Sequence, residues 1–201
     1  TDIIRFGVGI NPTDITLNRD ANNLYITLNG TTDKITVLNW FYSTASRVEK
    51  IEFANGTSWD VNKLASTVYI GTANADTLSG SNQNETFYGL AGNDTIYGGN
   101  GNDIIEGGVG NDALYGGNSY YSDLYSSQSN GNDIYLFNTG FGQDTIVDYD
   151  TTSGNTDIIR FGVGINPTDI TLNRDANNLY ITLNGTTDKI TVLNWFYSTA
   201  S

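Results

Sequence analysis

Five carboxylates stand on a nine-residue grid: Asp76, Glu85, Asp94, Asp103 and Asp112. Five positions before each is a glycine (Gly71, Gly80, Gly89, Gly98, Gly107), and two positions after each is one apolar residue (Leu78, Phe87, Ile96, Ile105, Leu114). A fixed period gives every acid the same surroundings, whereas a glycosidase needs two acids in unlike environments within one cleft. The chain is therefore not expected to be an enzyme. With neither histidine nor cysteine among its 201 residues, it also lacks the groups for imidazole triads, thiolate nucleophiles and the usual zinc or haem sites. A regular array of oxygen ligands is suited instead to holding hard cations.

The elements that position these acids follow from the same nine residues. One large apolar residue per nonapeptide is too few for an amphipathic helix. Six residues rich in Gly, Asn and Asp followed by three extended ones describe a tight turn and a short strand. Repeated, they wind a solenoid whose strands alternate between two parallel sheets, with residues 18 apart stacking. Asp76, Asp94 and Asp112 then share one edge, and Glu85 and Asp103 the other. Stacked carboxylates about 4.8 Å apart repel by roughly 3 kcal/mol at an effective dielectric of 20. Several such pairs rival the whole stability of a domain, about 5–15 kcal/mol, so a cation must lie between the turns. Carboxylates supplemented by turn carbonyls favour Ca²⁺ over Mg²⁺.

The charge distribution agrees. The net charge is −13, and residues 64–159 carry twelve acids and no lysine or arginine, while the two flanks are nearly neutral. Such a block is commonly a disordered tail, but regular spacing among Gly and single apolar residues argues for a folded array. About five or six calcium ions would nearly cancel it. A nucleic-acid partner is not expected without clustered bases, and no apolar stretch is long enough for a membrane span. A second period is far longer. Residues 1–46 recur without a change at 156–201, an offset of 155 residues, which points to a tandem array in which neighbouring copies of the module are partners.

GGNGNDIIE at 98–106 and GGVGNDALY at 107–115 match the nonapeptide G-G-x-G-x-D-x-U-x, where U is a large apolar residue, and GLAGNDTIY at 89–97 departs at one glycine. At these residues the chain resembles the RTX, or haemolysin-type calcium-binding, repeat family. The flanks, through GNDIYLFNTGFGQDTIVDYD, DIIRFGVGINPTDITL, ITVLNWF and IEFANGTSWD, resemble the haemolysin-type calcium-binding-related domain that accompanies such repeats. The resemblance implies an all-β parallel β-roll flanked by small, mainly antiparallel β regions. The expected boundaries are 1–66 for a β domain, 67–150 for the roll and 151–201 for a second, truncated copy with an exposed or borrowed edge.

The resemblance also implies ligands, each ion taking carbonyls one and three plus the Asp of one turn and carbonyls two and four plus the Asp of the next turn on that edge. On the first edge, Gly71, Ala73 and Asp76 would meet Leu90, Gly92 and Asp94. Gly89, Ala91 and Asp94 would meet Gly108, Gly110 and Asp112, and Gly107, Val109 and Asp112 would meet Ser129, Gly131 and Asp133. On the second edge, Gly80, Asn82 and Glu85 would meet Gly99, Gly101 and Asp103. Gly98, Asn100 and Asp103 would then face the insertion SYYSDLYSSQS, where Tyr121 stands in the expected Asp position and Asp123 is the substitute. Gly140, Gly142 and Asp144 belong to the restored pattern beyond it. Glu85, one methylene longer than Asp, and Asn74 and Gln83 in place of a turn glycine mark the first turns as the weakest sites.

The flanks alternate apolar and polar residues, and Asn29-Gly30 and Asn55-Gly56 are hairpin turns by their chemistry; Asn-Gly-Thr is also a glycosylation sequon, and the turn reading is preferred. Trp40 and Trp195 are expected as core anchors. Tyr97 and Tyr115, 18 residues apart, should stack on one sheet face, and Tyr120, Tyr121 and Tyr125 crowd the insertion; aromatic ladders also suit surface glycans. DYDTTSG at 148–154 fails as an EF-hand, with Ser153 at the glycine position and Ile159 at the twelfth, and GVG at 7–9 is too short for a nucleotide loop. The expected function is a calcium-binding structural module of a secreted bacterial protein, exported by type I secretion as the resemblance implies and folding on calcium outside the cell. The alternative is a calcium-dependent adhesion or carbohydrate-binding module using its tyrosines.

Overall fold

The computed structural model describes residues 1–20, 22–65, 68–117, 131–149 and 153–197. Contacts divide the chain into two compact units, Thr1–Ile70 and Gly71–Ser201; the segment expected to stand apart at 151–201 falls within the second.

The first unit contains β1 (Ile3–Phe6), β2 (Ile15–Arg19), β3 (Leu24–Leu28), β4 (Lys34–Val37), β5 (Lys50–Phe53), β6 (Ser58–Trp59), the short helix α1 (Val61–Ala65) and β7 (Val68–Ile70). Strands β2, β3 and β4 form an antiparallel meander, and β7 adds to β2 in parallel. A separate small sheet pairs β1 with β5 in parallel and β5 with β6 antiparallel. Both Asn-Gly sites are turns, with Gly30 at φ 76° and Gly56 at φ 87°, the left-handed region where glycine carries no Cβ penalty. Ile15, Leu24, Ile26, Trp40, Ile51, Phe53 and Leu64 form the core, and the Trp40 indole N–H donates to the Val48 carbonyl at 2.8 Å.

The second unit winds as the nonapeptide spacing predicts. Strands β8 (Thr77–Ser79), β9 (Thr86–Tyr88), β10 (Thr95–Tyr97), β11 (Ile104–Glu106) and β12 (Ala113–Tyr115) are followed by β13 (Ile134–Phe137), β14 (Gln143–Val147), β15 (Ile158–Phe161), β16 (Ile170–Arg174), β17 (Leu179–Leu183) and β18 (Lys189–Val192). One sheet stacks β8, β10, β12 and β14 in parallel; the other stacks β9, β11, β13 and β15. The register places Ile96 beside Leu78 and Leu114, so side chains two positions after each acid fall in line. Phe87, Ile96, Ile105, Leu114, Tyr135 and Ile146 are buried. Each of β9 to β12 contributes one such residue, which is why single substitutions in this thin core matter.

The identical 46-residue segments meet different neighbours. IIRF pairs with β5 as β1 but with β13 as β15, and KITV as β18 pairs in parallel with β14. Trp195 corrects the expectation of a second core anchor: Trp40 is 0 % exposed and Trp195 61 %. Trp40 is enclosed by Ile51, Phe53 and Leu64, and residues 156–201 contain no counterpart of these.

Candidate metal centre

The acids of the nonapeptides form two continuous ladders in the second unit. On the first edge the backbone N–H of Asp76 donates to Oδ1 of Asp94, that of Asp94 to Asp112 and that of Asp112 to Asp144, each at 2.8 Å. On the second, Glu85 N–H donates to Asp103 at 2.8 Å, and Asp103 to Asp133 and Asp133 to Asp157 at 2.9 Å. Each carboxylate thus spends one oxygen fixing the turn before it. The fifth position builds a parallel ladder, with Asn111 N–H on Asn93, Asn102 N–H on Asn84 and Asn132 N–H on Asn102, all at 2.9 Å.

This placement corrects the pairing expected across the insertion. Asp133 follows Asp103 on the second edge, and Asp144 with Gly140 and Gly142 follows Asp112 on the first; Asp112 does not meet Asp133. The reason is strand order: β13 joins β11 and β14 joins β12, whatever number of residues separates them. Asp123 and Ser129, with Tyr120, Tyr121 and Tyr125, lie outside the described residues. Tyr97 and Tyr115 stack as the 18-residue spacing requires, centroids 4.6 Å apart.

The second carboxylate oxygens carry the chemistry. Oδ2 of Asp94, Asp103, Asp112 and Asp144 is buried and accepts no hydrogen bond among the described residues. Burial pushes Asp103 and Asp144 up to about 8 and Asp112 up to about 6, against the opposing pull of a backbone N–H bond and with further upward pressure from neighbouring carboxylates. Asp94 is raised for the same reason. The first turns differ: Asp76 Oδ2 accepts the Thr72 N–H at 2.6 Å and hydroxyl at 2.8 Å, and Glu85 accepts the Ser81 N–H at 3.2 Å and the Ser81 hydroxyl.

The turns leave room for nothing larger than hydrogen at their closest points. A Cβ on Gly107 would lie 2.2 Å from Asp112 Oδ2, and one on Gly142 would lie 1.8 Å from the Gly110 carbonyl. Leu90 occupies, at φ 79°, the turn position held in later repeats by Gly99 and Gly108 at φ 105° and 102°. Buried carboxylate oxygens beside glycine-rich turns are the oxygen donors that a hard cation takes.

Three further acids, which the sequence did not single out as ligands, join the ladders. Asp157 extends the second ladder, and Asp188 ends the first edge by accepting Gly140 N–H at 2.8 Å and Gly142 N–H at 3.2 Å. Both precede an apolar residue by two positions, Ile159 and Ile190, the same local signal as in the nonapeptides. Asp148 joins Asp133 and Asp157, with one oxygen of each within 4.8 Å of the others, and accepts the buried Tyr135 hydroxyl at 2.9 Å.

Comparison with known proteins agrees with this geometry. The profile of the RTX calcium-binding nonapeptide repeat matches residues 68–96 and 88–119, and that of the haemolysin-type calcium binding protein related domain matches 23–63 and 178–201. The chain is an RTX calcium-binding repeat protein. The iron-regulated protein FrpA of Neisseria meningitidis serogroup C is 40 % identical over 67 residues, 33 % of this RTX chain and only 6 % of that protein's length. Among solved structures, the extracellular lipase LipA of Serratia marcescens aligns over 96 % of this chain and 31 % of its own (16 % identity, TM-score 0.43). A subunit of the mannuronan C5-epimerase of Azotobacter vinelandii aligns over 65 % of this chain and 77 % of its own (21 % identity, TM-score 0.39). No helix among the described residues is long and apolar enough to cross a membrane.

Proposed function

We propose that this chain is a calcium-folded structural module of a secreted, tandemly repeated bacterial protein, with no catalytic role of its own. The observation that carries this reading is the pair of ladders: six stacked carboxylate pairs, four of whose acids bury an oxygen without a hydrogen-bond partner among the described residues. Calcium ions between successive turns would be held on the first edge by Asp76, Asp94, Asp112 and Asp144, and on the second by Glu85, Asp103, Asp133 and Asp157, with turn carbonyls such as Gly89, Ala91, Gly108 and Gly110 completing the shell. The bound ion supplies positive charge; the chain supplies acids already fixed by backbone N–H groups. Because Thr72 and Ser81 already engage Asp76 and Glu85, the first turns bind more weakly than the later ones.

Ligand binding to the folded state alone couples folding to calcium. At submicromolar cytosolic calcium the acids repel and the roll stays unfolded and threadable; at millimolar external calcium it folds, which suits export through a narrow conduit such as type I secretion. Circular dichroism during a calcium titration tests it, the expectation being β-structure and a thermal midpoint that rise with calcium. Equal β-content and stability in chelator and in millimolar calcium would refute the reading. The stacked Tyr97 and Tyr115 rings favour a second reading, a glycan platform, supported if glycan-array binding appears and vanishes on Tyr97→Ala and Tyr115→Ala.

A further inference from the structure

Residues 1–46 and 156–201 are identical in sequence yet sit against different neighbours, so each copy reports what one surface of this segment accepts. In the first copy, Leu24, Ile26 and Trp40 close a core with Ile51, Phe53 and Leu64, against which Ile4, Leu17 and Val37 pack. In the second copy the same six residues, Ile159, Leu172, Leu179, Ile181, Val192 and Trp195, line an open cavity of about 460 Å³. Leu172 is 64 % exposed. The cavity, whose rim also includes Asp148 and Asp157, therefore carries the apolar residues of a core whose other component in the first copy is the stretch 47–65.

The strand edges give the same result. In the first copy the Asp2 carbonyl accepts from Glu49, so Asp2 faces β5; in the second, Ile158, the counterpart of the next residue, donates to the Asp133 carbonyl and faces β13. Successive residues of a strand direct their backbone groups to opposite edges, so these two pairings do not compete. Likewise β2 takes β7 on the edge that β16, its counterpart, presents without a partner strand among the described residues of the second unit, while β18 uses its outer edge on β14. Arg19 shows what β7 adds: its guanidinium lies between the Phe41 and Tyr69 rings, 3.2 and 4.1 Å from their centroids, whereas Arg174 stacks on Phe196 alone among the described rings.

We propose that the cavity and the free edge of β16 receive a further copy of residues 47–70, so that the 46-residue segment is a splice domain in the tandem array. One side of it, β15 and β18, extends the roll before it. The other side, β15 and β16, is completed by the strands and helix that follow it, and each junction becomes a single continuous core without a flexible linker. The occupant is fixed by the first copy, where that stretch already fills the same surface, with Arg5 and Glu52 bridging the pair at 2.8 Å.

The test appends residues 47–70 after Ser201 of the full chain, in calcium, with fluorotryptophan incorporated and the Trp195 ¹⁹F resonance assigned by Trp195→Phe. The expected result is that Trp195 becomes as inaccessible to a soluble quencher as Trp40 and that β16 amides gain exchange protection. Leu64→Asp made in the appended copy alone, which leaves the original 201 residues untouched, should return Trp195 to its exposed state. A Trp195 equally accessible with and without the appended segment overturns the proposal, as does protection that survives the Leu64→Asp change.

Discussion

Replacing Asp144 by Asn should change the sign of its effect with calcium. Asp144 is buried, its Oδ1 accepts the Asp112 N–H at 2.8 Å, and its Oδ2 has no hydrogen-bond partner among the described residues. Burial, with the Asp112 and Asp188 charges beside it, raises it from 3.8 to about 8. Without calcium at pH 7 the unfolded chain carries this group ionised, and folding must bind a proton. A difference of about three pH units costs about 4 kcal/mol. A group raised on folding contributes its stability below the unfolded value, near pH 4, and loses it as pH rises through about 8. Asparagine keeps the Oδ1 bond and needs no proton, but its amide N–H₂ replaces the buried Oδ2, at a cost of about 1–2 kcal/mol where no carbonyl accepts it. The net gain in chelator at pH 7 is therefore about 2–3 kcal/mol, shrinking to nothing or below near pH 4. On the proposed reading the carboxylate is a ligand in calcium, and its removal should raise the calcium needed for half-folding at least about tenfold, the equivalent of 1.4 kcal/mol. Urea denaturation followed by circular dichroism, in chelator with sucrose to populate the folded state and separately in millimolar calcium, reads both. Destabilisation in both media, or a gain in chelator as large at pH 4 as at pH 7, would refute the reasoning.

Three further outcomes are expected. Leu90→Gly should stabilise the calcium-loaded fold by about 1 kcal/mol and raise its thermal midpoint, because it relieves a left-handed leucine whose side chain is 49 % exposed and sacrifices little burial; scanning calorimetry in calcium checks it. In chelator, lowering the pH from 8 to 4 should increase β-content, since Asp103, Asp112 and Asp144 are all raised on folding, and calcium affinity should fall over the same range as protons compete; a calorimetric titration at several pH values measures both. Double-mutant cycles with Asp→Asn in calcium should find coupling between Asp103 and Asp133 and between Asp112 and Asp144, and none between Asp112 and Asp133.

The ladder was legible because one carboxylate and one apolar residue recur at fixed offsets, and the 18-residue stack follows from strands alternating between two sheets. The insertion was misread for a physical reason: parity in a two-sheet roll counts strands, not residues, so Asp133 belongs with Asp103 although residue counting put it with Asp112. Asp157 and Asp188 carry the D-x-apolar signal without the preceding glycines, because the turn that delivers them comes from a flank. Trp195 illustrates a different limit. Its neighbours in sequence are those of Trp40, and only the residues that pack from elsewhere decide that one is buried and the other exposed.

The number of sites matters as much as their chemistry. A site with a dissociation constant near ten micromolar gains about 2.7 kcal/mol at millimolar calcium, where the ion is about a hundredfold above that constant, and essentially nothing at submicromolar calcium. One such site is a fraction of the roughly 5–15 kcal/mol that separates a folded from an unfolded domain, so it would shade the equilibrium without reversing it. Six stacked pairs sharing carboxylates act together, because Asp94, Asp112, Asp103 and Asp133 each belong to the pair above and the pair below. The shared acids would also make the response steep on the proposed reading, since an ion entering one turn would fix half the ligands of the next. On the proposed reading, substitution of a shared acid such as Asp112 should lower the steepness of calcium-induced folding, whereas substitution of the terminal Asp76 should shift its midpoint slightly and leave the steepness unchanged. Calcium titrations of the two variants, followed by circular dichroism, measure both quantities; equal loss of steepness in the two would mean that the pairs do not communicate through their common carboxylates.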